Sequence, residues 1–229
     1  ESAMTDSEVS NAVEFGRIVG RNMASLTDCL VIGESIPAGT TTALAVLRAF
    51  DFDAKVSSSI PTNPTKLKNE IVDSALKRID SDHPYSILAK VGDPMIAFVA
   101  GMLSSASSVS KVMLAGGTQM TAVLAFASKI GFNEENTAIG TTSYITNDQN
   151  ANFTNVVKQI ADIPAISVNP GLNNSKYSGL KAFSEGFGKE GAGAGGSIIS
   201  SMLKTGNNSA KFLNLAEQEY DRLTTLSGT

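Results

Sequence analysis

The stretch LVIGESIPAGTTTALAVL, Leu30 to Leu47, changes its hydrophobic period halfway along. Its opening, with Cys29, is a short apolar run ending at Gly33 that reads as a buried strand; "TTTALAVLRAF" (Thr40 to Phe50) then reads as a helix. The same strand–glycine turn–helix order returns in "KVMLAGG" (Lys111 to Gly117) followed by "QMTAVLAFASKIG". "TAIGTTSYI" and "IPAISVN" are two further strands with the helix "FTNVVKQIA" between them, and "AKVSS" (Ala54 to Ser58) is a weaker strand. Strands alternating with helices imply an α/β protein: a three-layer α/β/α, doubly wound, mostly parallel sheet with C-terminal helices. Ser7 to Leu26 and Lys66 to Arg78 read as further helices, and Asp93 and Pro94 supply an N-cap and a first helical residue for "PMIAFVAGMLSSA". After Pro170 the strands stop. Glycine, serine and helices follow, ending in the amphipathic "AKFLNLAEQEYDRLTTL".

Composition excludes several classes. Apolar residues make up 42% of the 229, enough for a core, and the net charge of −4 leaves no basic face for nucleic acid. "MIAFVAGML" (Met95 to Leu103) falls short of the roughly 18 apolar residues of a membrane span, so no membrane partner is expected. The single cysteine, Cys29, cannot form an internal disulfide and is expected to be buried; a reducing, cytoplasmic setting fits. The chain opens "ESAMTDSEV" and runs straight into a helical pattern, as a piece of a longer protein would.

Ligands of open α/β sheets sit beyond the carboxyl ends of the strands. "GESIPAGTTT", "AGGTQM" and "SVNPG" fall there, and each offers backbone N–H groups to an anion, although glycines also serve simply to turn the chain. Gly33 to Thr41 has five residues between its glycines and no lysine, unlike a triphosphate-binding loop. "GAGAGG" (Gly191 to Gly196) matches G-x-G-x-x-G but follows a charged, helix-like segment rather than a strand, so no dinucleotide cofactor is expected. One Cys and one His, His83 in a polar turn before Pro84, make neither a zinc site nor a Ser-His-Asp triad; no metal is expected.

Proton transfer then falls to carboxylates, lysines or tyrosines. Glu34 follows a buried strand among small residues. Glu190 opens "EGAGAGG", where neighbouring side chains are too small to solvate it. Such settings raise a carboxylate's pKa toward that of a useful base. Glu190 could equally be a first-turn charge favouring the helix that follows.

Taken together, "GESIPAGTTTALAVL", "VGDPMIAFVAGML", "VMLAGGTQM" and "GLKAFSEGFGKEGAGAGG" resemble the archaeal and cyanobacterial branch of nicotinate-nucleotide–dimethylbenzimidazole phosphoribosyltransferase, the CobT type. The resemblance implies a homodimer with no cofactor that transfers phosphoribose from nicotinate mononucleotide to a benzimidazole-type base. It implies a Rossmann-like core with nucleotide-binding loops over residues 1–170, and a glycine-rich catalytic segment with C-terminal helices over 171–229. Glu190 then corresponds to the catalytic base and Glu34 to a second carboxylate. Gly33, Gly39, Thr40 and Thr41 form the first loop, and Gly116 and Gly117 a phosphate turn. Ser175, Lys176 and Gly179 stand where the family has a phosphate loop. Lys68 corresponds to a lysine reaching the ribose phosphate, or is a solvated helix lysine. This sequence has Ala115 where the bacterial branch has an acid and Phe187 where it has a base, and it lacks that branch's N-terminal region. A non-catalytic nucleotide- or base-binding module of the same fold is the alternative.

Overall fold

The computed structural model describes residues 2–36 and 39–226; Pro37 and Ala38 of the first loop lie outside them. The elements are α1 (Asp6–Ala24), β1 (Cys29–Gly33), α2 (Gly39–Ala49), α3 (Thr65–Leu76), α4 (Pro84–Val91), α5 (Pro94–Ala106), β2 (Lys111–Ala115), α6 (Thr118–Ile130), β3 (Thr137–Thr142), α7 (Ser143–Thr146), α8 (Phe153–Ile160), β4 (Ala165–Val168), α9 (Ser178–Ser184), α10 (Ala194–Thr205) and α11 (Ser209–Leu226). Polar caps set several of these starts. Thr5 and Glu8 form a reciprocal capping box on α1, and Asp93 accepts from the Ile96 N–H at 2.9 Å to open α5.

The four strands are parallel and stand in the order β1-β2-β3-β4, with Ile32 opposite Leu114 and Leu114 opposite Ile139. Side-chain alternation divides the sheet into two faces. Leu30, Ile32, Val112, Leu114 and Ile139 point into the main core with residues of α2, α5 and α6. Ala115 and Gly140 point the other way, onto α10, which packs across all four strands. Right-handed crossovers in a consecutively ordered parallel sheet place their helices on one face. The layer on the opposite face is therefore contributed by α10 rather than by a reversal of winding.

Small residues bring α10 unusually close. A Cβ on Gly196 would stand 2.4 Å from that of Ala115, and one on Gly195 would stand 2.0 Å from the backbone carbon of Thr141. "GAGAGG" is thus a helix–sheet contact made at backbone distance.

Three local expectations are corrected. Ala54 to Ser58 is not a strand. All of it but Lys55 is buried, and its backbone is satisfied by side chains: Asn152 on Lys55, Asn63 on the Val56 carbonyl and Thr118 on the Ser57 N–H. Helix α4 was not expected; it is only eight residues long, with Pro84 in its first turn. Cys29 is exposed, because it opens an edge strand and pairs there with exposed Lys111.

Candidate active site

The three strand ends Gly33, Ala115 and Thr142 come out along one edge of the sheet, because the strands are parallel and in register. A cavity of about 340 Å³ opens there. Its wall contains Glu34, Gly39 and Thr40 from the first loop and helix, Gly117 and Gln119 from the second, and Glu190 from the segment before α10. Glu34 and Glu190, separated by most of the chain, thus face one space.

Glu190 is the more firmly held. Its Oε1 accepts from the Thr141 hydroxyl at 3.0 Å and from the Thr142 N–H, and its Oε2 accepts from the Gly195 N–H at 3.0 Å. Gly195 must be glycine, since a Cβ would stand 2.4 Å from Oε1. The turn before α10 reaches this geometry through Gly188 and Gly193, both with left-handed φ, at +71° and +69°. Two bonds tie the segment down: the Thr142 hydroxyl donates to the Lys189 carbonyl at 2.8 Å, and the Gly188 N–H donates to the Ser59 carbonyl at 2.9 Å. Burial pushes the Glu190 carboxyl above the ordinary carboxylate range, against the opposing pull of the hydrogen bonds from Gly195, Thr141 and Thr142.

Glu34 is oriented from the side. Its Oε2 accepts from the Ile36 N–H at 2.8 Å and from Gln119 Nε2 at 2.9 Å, and Gln119 also donates to the Ile36 carbonyl at 3.2 Å. Gly39 leaves the room for this, as a Cβ there would meet Gln119 Nε2 at 2.3 Å. Burial raises the Glu34 pKa, the Ile36 N–H lowers it, and the charge of nearby Asp93 raises it again. Two carboxylates with raised pKa values on one cavity can take up a proton and stabilise a developing positive charge.

The remaining expected residues divide. Gly33 packs against the site's rim, its would-be Cβ 3.1 Å from the Ala192 carbonyl. Gly116 lies just past the end of β2, outside the cavity wall, its N–H donating to the Gly140 carbonyl at 2.9 Å. Thr41 faces a different cavity, beside Val72 and Arg78. Lys68 is buried rather than solvated, and its Nζ donates to the Ser57 carbonyl at 2.8 Å, behind the wall. Ser175, Lys176 and Gly179 are absent from the cavity wall and are occupied by α11. The Ser175 hydroxyl and the Lys176 N–H both donate to Glu217 Oε1 at 2.7 Å, Lys176 Nζ lies 3.4 Å from Asp221, and Gly179 lies against Tyr220. Conversely, Ser57, Ser58, Ser59, Gln119 and Lys189 line the cavity and carried no signal of their own in the sequence. Among the described residues no group of three or more His, Cys, Asp or Glu side chains could hold a metal, and no helix is long and apolar enough to cross a membrane.

Glycine turns at strand ends and two carboxylates over one cavity mark the carboxyl-end face of this parallel α/β protein. Residues 1–144 match the family model DBI_PRT, described as phosphoribosyltransferase, and the chain belongs to that family, in its CobT-like archaeal branch. It is 43% identical over 221 residues to the UPF0284 protein of Archaeoglobus fulgidus, covering 96% of this chain and 63% of that one. A second UPF0284 protein, from Sulfurisphaera tokodaii, is 43% identical over 213 residues, covering 92% and 60%. The chain thus spans less than two thirds of either relative. The fold is similar to that of nicotinate-nucleotide-dimethylbenzimidazole phosphoribosyltransferase from Thermus thermophilus, with a TM-score of 0.59 at 17% identity over 93% of this chain and 58% of that one.

Proposed function

We propose that this chain carries the transfer site of an enzyme that moves phosphoribose from nicotinate mononucleotide to a benzimidazole-type base. The products would be α-ribazole phosphate, for the lower ligand of cobalamin, and nicotinate. A ring nitrogen of the acceptor attacks the anomeric carbon with its lone pair, and the bond from that carbon to the nicotinate nitrogen breaks with its electrons leaving on nicotinate. The proton on the acceptor's other nitrogen passes to Glu190. Glu34 stabilises the positive charge that builds on the ribose as the leaving group departs.

The observation that carries this reading is the meeting of Glu34 and Glu190 on one cavity, with burial raising both carboxyls. A raised pKa suits a base that must accept a proton and later release it near neutral pH. The working unit is proposed to be a homodimer: α11 has no buried residues, and its Leu215 is exposed as an interface helix would require. Incubation with nicotinate mononucleotide and dimethylbenzimidazole, followed by chromatography for free nicotinate, tests the reading. Release that depends on the acceptor and disappears in Glu190→Gln supports it. Nucleotide binding without release, in the full-length protein, replaces it with a binding module.

A further inference from the structure

A carboxylate offers about four acceptor positions, two on each oxygen. At Glu190 they are filled unevenly. Oε1 takes two donors, the Thr141 hydroxyl at 3.0 Å and the Thr142 N–H, while Oε2 takes one, the Gly195 N–H at 3.0 Å. The Thr142 hydroxyl is spent elsewhere, donating to the Lys189 carbonyl at 2.8 Å. The charged groups nearby are engaged as well. Lys189 Nζ donates to Asp148 Oδ2 at 2.7 Å, and Glu34 Oε2, on the same cavity, accepts from Ile36 and Gln119. Oε1 is therefore saturated, and the acceptor capacity that Glu190 keeps for a ligand lies on Oε2.

The kind of donor matters as much as the number. Two are backbone N–H groups held by regular structure, Thr142 at the end of β3 and Gly195 in the first turn of α10. The third is a side chain: Thr141 has no exposure to solvent, and its branched Cβ restricts its rotamers. A protonated carboxyl has one carbonyl oxygen and one hydroxyl oxygen. With the proton on Oε2, Oε1 is the carbonyl oxygen and keeps both of its donors. A proton on Oε1 would set an O–H against the Thr141 hydroxyl and the Thr142 N–H, at the cost of a buried donor left without an acceptor. The same bonds thus serve the ionised and the protonated acid only when Oε2 carries the proton.

We propose that Thr141 is a positioning residue for proton transfer: together with the Thr142 N–H it reserves Oε1 as the carbonyl oxygen and assigns the incoming proton to Oε2. Thr141 is absent from the cavity wall and acts through Glu190. In the transfer step the N–H bond of the acceptor base breaks as the Oε2–H bond forms. The electron pair of the N–H bond stays in the ring, where it cancels the positive charge left by bonding to the anomeric carbon, and Glu190 becomes neutral. That the proton comes from an acceptor base rests on the transfer reading above; the choice of oxygen rests on the hydrogen bonds alone.

Infrared difference spectroscopy across an acid titration tests the assignment without turnover. Subtracting the spectra of Glu190→Gln leaves the carbonyl band of protonated Glu190. Thr141→Val takes one donor from that carbonyl, so the band moves to higher wavenumber. The ionised form loses the same bond, so the titration moves to higher pH by roughly one unit. Thr141→Ser restores both. In the nicotinate-release assay the valine variant lowers kcat about tenfold with KM for nicotinate mononucleotide unchanged, and its acid limb follows the infrared titration. A hydroxyl that only satisfied the strand would lower the thermal midpoint and leave band and titration in place. If the valine variant lacks a cooperative thermal transition, Thr141→Ala, which removes the hydroxyl without putting a methyl group in its place, is read instead. A band at the wild-type wavenumber in the folded variant, or a serine variant that behaves like valine, overturns the assignment. A band that moves in a protein releasing no nicotinate keeps the assignment and removes the transfer reading. Nicotinate release with a band indifferent to residue 141 does the reverse.

Discussion

Helices α10 and α11 follow one another in sequence and are held in opposite ways. The first lies on the sheet through Gly195, Gly196, Ile198 and Ile199, all buried, at distances that admit no Cβ on its glycines. The second buries none of its residues and is fastened by polar contacts, Glu217 to buried Ser175 and to Lys176, and the exposed ones of Asp221 to Tyr177 and Lys176, together with the stacked pair Tyr177–Tyr220 at 4.8 Å. Backbone-close packing is rigid and intolerant of volume; exposed ion pairs are adaptable and contribute little. The chemistry is expected on the rigid side of this contrast. Glu190 sits there, with one oxygen bonded to the sheet and the other to the first turn of α10.

A graded set of substitutions probes the two helices. Glu190→Gln is expected to lower nicotinate release by about 10²–10⁴-fold, the usual worth of a positioned general base, with nucleotide binding retained and the thermal midpoint lowered, because the amide nitrogen must face the N–H of Thr142 or of Gly195. A variant with near-normal turnover would move the base elsewhere. Gly195→Ala pushes a methyl group into the Thr141 backbone and the Glu190 carboxylate, and is expected to cost about 1–3 kcal/mol in denaturant unfolding together with most of the activity. Unchanged stability would mean that α10 is free to shift. Gln119→Leu removes the side-chain donor to Glu34 and is expected to slow turnover roughly tenfold, while Gln119→Asn recovers part of the rate only if the shorter amide still reaches. At the small end, Glu217→Gln in the α11 clasp is expected to leave turnover unchanged and only increase fraying of the last helix, read by amide exchange along 209–226.

The pH dependence has opposite signs at the two kinds of acid. Glu190 must be ionised to accept a proton, and burial raises its pKa, so the rate falls as pH drops through a value above the ordinary carboxylate range. Rate profiles of wild type and Glu34→Gln separate that limb from the contribution of Glu34. For stability, Glu34 and Glu190 favour the folded state most when protonated, and that contribution is lost as pH rises through their folded pKa values. Asp148 behaves oppositely. Burial raises its pKa, but the hydrogen bonds from Lys189, Ser57 and Asn150 and the charge of Lys189 bring it below the ordinary range. Its contribution is present above the pKa of the unfolded chain and is lost as pH falls through the folded value. Asp148→Asn should therefore flatten the acid limb of a stability–pH curve.

What was legible in the sequence were features with a local cause. An apolar run ending in glycine marks a strand end, and an isolated carboxylate among small residues marks a poorly solvated one; Glu34 and Glu190 each carry that signal alone. Their meeting follows once parallel strands bring their carboxyl ends to one edge. Ser57, Asp148 and Lys189 carry no such mark, because their bonds join residues 91 and 41 positions apart. Ala54 to Ser58 looked like a strand because apolar and polar residues alternate at its start, and nothing local announces that Asn152, Asn63 and Thr118 replace a strand neighbour. Ser175 and Lys176 have the composition of an anion loop, but the carboxylate they bind belongs to this same chain, 42 positions on from Ser175 at Glu217. Cys29 has an apolar neighbourhood in sequence and an edge position in space; native-state reaction with a thiol reagent should label it without unfolding.

The central claim is that two acids distant in sequence act on one sugar. A crystal structure of the Glu190→Gln variant with nicotinate mononucleotide and the acceptor base tests it most directly. The expected result is the anomeric carbon within the cavity, with the Glu34 carboxylate beside the ribose and the side chain at 190 in reach of the acceptor's ring nitrogen. A nucleotide bound elsewhere on the protein, or a ribose whose reacting carbon faces only one of the two, would contradict it.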